Sequence, residues 1–163
     1  MIKGPIQRIL VNIDGSEESL VACEYGILLA RIINARLLGA YVVNTRALSD
    51  LRKTHIFLAA EEAEYARDIE EDANRYLEHA ARTAATKGVE IETIKTSGSV
   101  HQELLRVIEE KDIDLLIIGE LAHVRSRLDE FYNESERLMR SAPCSVLIVK
   151  DEDRVDDLFA LEE

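Results

Sequence analysis

Ile6-Gln7-Arg8-Ile9-Leu10-Val11-Asn12-Ile13-Asp14-Gly15-Ser16 decides how the rest of the chain is read. Its first eight residues are a short, β-branched apolar run of the kind that forms a strand covered on both faces. The run stops at Asp14-Gly15, a turn pair. Ser16 is a helix N-cap whose side chain can satisfy an orphan backbone N–H. Glu17 and Glu18 then fall in the first turn, where the helix dipole favours anions. Leu20, Cys23, Ile27 and Ala30 recur at helical spacing and give that helix one buried face. A buried strand handing over to an amphipathic helix opens a βα unit of a parallel sheet.

Outward from that unit the alternation continues. Arg36 to Val43 reads as a second strand, and residues 44–58 lack a period and read as a loop or lid. A long helix follows from about Ala59 to Lys87. Its apolar stripe is Ala59, Ala63, Ala66, Ala73, Leu77, Ala80 and Ala84, and Gly88 ends it. Val89 to Thr96 alternates only in part, as suits a sheet edge, and Ser97-Gly98-Ser99 turns the chain. Leu104, Leu105, Val107 and Ile108 mark the next helix, and Ile113 to Ile118 a fourth strand that ends at Gly119. A polar loop runs to Phe131. Asn133-Glu134-Ser135-Glu136 then has the form of a capping box with Asn133 as the cap. Pro143 stops that helix, and Ser145 to Val149 is the fifth strand. The expectation is one α/β domain over residues 1–150, an open five-stranded parallel sheet with helices on both faces. An acidic tail, residues 151–163, is expected to be poorly ordered in isolation.

Composition narrows the function classes. The chain has 163 residues, 47 % of them apolar, which is enough for one real core. A formal net charge of -12 repels phosphate backbones and anionic lipid, so nucleic acid and membrane are not expected partners. No apolar run approaches the ~20 residues that cross a bilayer, and Met1 to Pro5 has none of the parts of a secretory signal. A cytoplasmic location is therefore expected. Cys23 and Cys144 stand apart from each other and from any Cys/His cluster, and read as buried apolar thiols. His55, His79, His101 and His123 show no metal spacing. There is no G-x-S-x-G elbow and no P-loop lysine pattern, so catalysis and a metal are not expected.

Three segments in order resemble the universal stress protein family: Asp14-Gly15-Ser16-Glu17-Glu18-Ser19, Asp114-Leu115-Leu116-Ile117-Ile118-Gly119, and Glu136 to Val149. The match covers roughly residues 5–150. The resemblance implies the strand order 3-2-1-4-5, a ligand cleft beyond strands 1 and 4, and a homodimer through the last strand. It places Asp14, Val42, Ile118, Gly119, Ala122 and Asn133 around a nucleotide cleft for which AMP or ATP is the implied ligand. Many family members hold ATP through G-x-x-G-x9-G-[ST], where bare backbone and a helix N-terminus cradle phosphates. In this chain Gly119 fills the first position, but Ala122 and Tyr132 replace the other two glycines and Asn133 takes the last place. Glu120 and Glu134 add negative charge beside that position.

Each residue also has a plainer reading. Asp14 is a turn carboxylate or a contact to the adenosine part of a nucleotide, Gly98 and Gly119 are turn glycines, and Asn133 is a helix cap. The resemblance implies a regulatory, stress-response protein that does not bind ATP tightly. The alternative is a sensor of AMP, ATP or adenosine, and a weak hydrolase ranks last.

Overall fold

The computed structural model describes residues 4–45, 59–120 and 130–161. In chain order these form β1 (Arg8–Asn12), α1 (Glu17–Ile33), β2 (Arg36–Asn44), α2 (Ala59–Thr86), β3 (Ile91–Gly98), α3 (Val100–Glu110), β4 (Leu115–Gly119), α4 (Glu130–Ser141), β5 (Ser145–Val149) and α5 (Glu152–Ala160). All strand pairs are parallel, and the sheet runs β3-β2-β1-β4-β5, as expected.

Pleating divides the apolar runs between two layers. Ile9, Val11, Leu115 and Ile117 face one side with Val21, Ala22, Cys23 and Ile27 of α1 and Leu77, Ala80 and Ala84 of α2. Leu10, Leu38, Leu116 and Ile118 face the other, with Leu104, Val107 and Ile108 of α3 and Leu138 of α4. Asp114 ties β4 to the start of β1. Its Oδ2 accepts from Gln7 N at 2.8 Å and from Arg8 N at 2.9 Å.

The structure corrects four local readings. The third strand begins at Ile91, because Val89 N–H donates to Ala84 O at 3.0 Å and closes the end of α2 around Gly88 at φ +69. Ala63, expected on the apolar stripe, is exposed. α4 begins at Glu130, three residues before the expected cap, so Asn133 lies inside the helix. The acidic tail is helical rather than loose: Val155 is only 3 % exposed and joins the α1 layer. The expected loop or lid falls mostly on residues 46–58, outside the described residues.

Candidate functional site

An open parallel sheet binds ligands beyond the carboxyl ends of its strands, where the strand order reverses. Here the reversal falls at β1, which has β2 on one side and β4 on the other. The register leaves a notch there. β1 pairs β2 as far as Asn12 opposite Ala40, and β4 as far as Val11 opposite Ile117. β2 runs on through Val42 to Asn44 and β4 through Ile118 to Gly119, while the chain leaves β1 at Asp14-Gly15. Ile13 N–H donates to Ala40 O at 2.9 Å. Val42, two residues along, therefore turns its backbone groups to the same side, towards the notch.

The Asp14 flank is held by its own hydrogen bonds. Asp14 Oδ1 accepts from the backbone N–H and the hydroxyl of Ser16. Ser16 Oγ accepts from Ser19 N at 3.1 Å, the cap bond of α1. Ser19 Oγ donates to Ser16 O at 3.0 Å and accepts from Asp14 N at 3.2 Å. Ser19 is 2 % exposed, and this closed circuit makes that burial affordable. Among the described residues Asp14 Oδ2 has no hydrogen-bond partner.

Two tyrosines stand beside this turn, Tyr41 of the β2 run that reads with Asp14 as the adenine side and Tyr76, which the sequence reading missed. Gly15 has φ +84, and a Cβ there would come within 2.7 Å of Tyr76 Cε2. Only glycine lets the α2 ring close over the turn. The Tyr41 and Tyr76 rings lie 5° from parallel with centroids 6.2 Å apart, and Arg75 Cζ sits 5.6 Å from the Tyr76 ring centre. Burial first, and then the charge of Asp14, push the Tyr41 hydroxyl above its ordinary pKa, with Asp72 and Tyr76 adding to this and Arg75 opposing it. The signal for Tyr76 was its place beside Leu77, on the flank of the α2 stripe.

The β4 flank is built otherwise. A Cβ on Gly119 would lie 2.6 Å from the carbonyl carbon and oxygen of Glu18. This glycine is therefore needed for α1 to pass over the end of β4, which neither sequence reading anticipated. The rim there is acidic. Glu17 and Glu18 open α1 and Glu120 follows Gly119. The Glu152 carboxyl is held above its usual range, first by desolvation and then by Asp156, Glu17, Glu18 and Asp153.

The notch thus brings together Asp14, Val42, Ile118 and Gly119. The Val42 and Ile118 side chains are buried in the second layer at 8 % and 4 % exposure, so their backbones are what the notch can use. Ala122 lies outside the described residues, as does the Asn133 side chain. Two open grooves of about 600 and 250 Å³ share Arg36 and Glu92 at the opposite, N-terminal end of the sheet, away from the notch. Among the described residues no three His, Cys, Asp or Glu side chains are grouped to hold a metal, and no helix is long and apolar enough to cross a membrane.

The sequence pattern of the Universal stress protein family matches residues 5–150. The chain belongs to that family. It is 28 % identical over 145 residues to the universal stress protein YxiE of Bacillus subtilis, covering 88 % of this chain and 98 % of that one. A family protein from Burkholderia pseudomallei superposes with a TM-score of 0.69 at 23 % identity, over 90 % of this chain and 97 % of that one. A family protein from Arabidopsis thaliana, with AMP bound, gives a TM-score of 0.62 at 15 % identity over 88 % and 91 %. Tyr132, which the resemblance sets at a glycine position of the phosphate motif, is part of a helix that starts two residues before it.

Proposed function

We propose that the protein is a stress-response regulator of the universal stress type, acting without catalysis, whose cleft does not hold ATP tightly. The observation that carries this reading is the acidic rim at the β4 flank. Glu17, Glu18, Glu120 and Glu152 crowd the side where a triphosphate would extend. Coulomb repulsion there opposes each added phosphate. The early start of α4 also places helical backbone where the family motif needs glycine.

One observation favours the second reading, a sensor of AMP or adenosine. The Asp14 flank is ordered, with Oδ2 open and the Val42 backbone facing the same notch. The Arabidopsis relative carries a nucleotide with a single phosphate. Calorimetric titration with ATP, AMP and adenosine separates the two readings. Absence of binding by all three supports a pure interaction protein, and binding of AMP or adenosine with weak ATP supports the sensor.

A homodimer through β5 belongs to the same proposal. β5 is an edge of the sheet, and Val146, Leu147 and Ile148 are only half-buried. Sedimentation at micromolar concentration tests it. A monomeric parent contradicts the dimer, as does a Leu147→Lys variant that keeps its circular dichroism and still sediments as a dimer.

A further inference from the structure

The C-terminal segment Asp151 to Ala160 carries five acidic residues and one arginine, yet it folds and docks. Asp151 caps it by accepting from Arg154 N at 3.2 Å. Val155 and Phe159, four residues apart, form its apolar edge and join the α1 layer. At the far end Lys87 Nζ lies 4.8 Å from the Phe159 ring centre and donates to Leu161 O at 3.0 Å. α5 therefore has a specific seat on α1.

The polar part of that seat consists of acids facing acids. Glu24 of α1 faces the carboxyls of Asp156 and Glu152 of α5. Two ionised carboxylates repel each other and cannot hydrogen-bond, so a proton held between them favours the contact. Glu24 Oε2 is buried with no partner, which further disfavours charge there. The groups acting on Glu24 are Asp156 and Glu152; those acting on Glu152 are Asp156, Glu17, Glu18 and Asp153. No cation belongs to either set. Lys87 is engaged at the Phe159 end, and Arg31, Arg154 and Asp157 are exposed. Beneath Gly26, two residues from Glu24, the strands present Val11, Leu37 and Ile117. Cys23, next to Glu24, is buried and stays a thiol, pushed up to about 12 by burial.

We propose that α5 is a proton-operated latch, seated on α1 while Glu24 and Asp156 share a proton and loosened when that proton leaves. Burial, followed by the Asp156 carboxyl and the Glu152 charge, raises the Glu24 carboxyl from 4.5 to about 7. The seated form therefore binds the proton more tightly than the released form. Docking is strongest in acid, weakens as pH rises from about 4.5 through about 7, and is flat above. Release also carries Glu152 away from Glu17 and Glu18, so the latch bears on the acidic rim of the notch.

The chain has no tryptophan, so Phe159→Trp in the full-length protein places one reporter in the seam. Its emission is expected to move to longer wavelength with a midpoint near neutrality as pH rises from 5 to 8.5. With Glu24→Gln added, emission should stay at the short-wavelength position throughout. A flat profile in the single variant overturns the latch, and so does an unchanged midpoint with Glu24→Gln. Amide exchange needs no reporter. Between pH 6 and 8, after correction for intrinsic exchange, protection of residues 152–160 should fall about tenfold relative to β1 in the parent and stay constant in Glu24→Gln. Equal loss in both proteins, or none in the parent, contradicts the proposal.

Discussion

The two flanks of the notch meet at the same switch point but are built by opposite means. On the Asp14 flank the N–H groups of Asp14 and Ser16 and both serine hydroxyls are hydrogen-bonded within the turn, and one carboxylate oxygen is left over. On the Gly119 flank a helix backbone lies directly against the strand end, and the side chains around it are carboxylates. The first arrangement leaves an acceptor for a ligand. The second fills space and accumulates charge of the sign that phosphate carries. A shared fold therefore fixes where a ligand can sit without fixing which part of it is welcomed.

The largest expected effect tests the packing half of that contrast. Gly119→Ala pushes a methyl into the Glu18 backbone, which cannot move without α1, and should destabilise the protein by about 3 kcal/mol in urea unfolding. A loss below about 1 kcal/mol would mean that α1 shifts freely and that the close approach is incidental.

Next comes the phosphate side. Restoring the family pattern with Glu120→Ser, Ala122→Gly, Tyr132→Gly and Asn133→Ser should raise ATP affinity ~30-fold, the equivalent of ~2 kcal/mol. Unchanged affinity in a folded variant would shift the blame to Glu17, Glu18 and Glu152, which these substitutions leave in place.

The Asp14 side carries the smallest effect. Asp14→Ala should weaken adenosine or AMP binding ~10-fold, about 1.4 kcal/mol. It should also cost about 1 kcal/mol of stability through the lost Ser16 bonds. If only stability changes, Asp14 is a turn carboxylate and nothing more.

The sequence and the structure agree where the signal is local. β1 is legible because Ile9, Leu10 and Val11 form an unbroken apolar run, and the α1 cap because Ser16 stands just before Glu17 and Glu18. The sheet order followed from the family resemblance. What was hidden depends on a partner distant in the chain. Gly119 looks like a turn glycine until Glu18 is laid over it. Gly15 looks ordinary until Tyr76 arrives from α2. The tail looked too acidic to fold because the seat for Val155 and Phe159 is on α1, distant in the chain. Asn133 missed its role by position. The cap signature was present, but the helix propagates back to Glu130, which glycine at 132 would have discouraged.

The central claim is that the acidic Gly119 flank of this notch opposes a triphosphate, so that the cleft does not hold ATP tightly. Calorimetric titration of the parent protein with adenosine, AMP and Mg-ATP under one buffer and salt condition tests it most directly. The account predicts that affinity falls as phosphates are added, with ATP weakest or undetectable. A submicromolar dissociation constant for ATP, tighter than that for AMP, would contradict it.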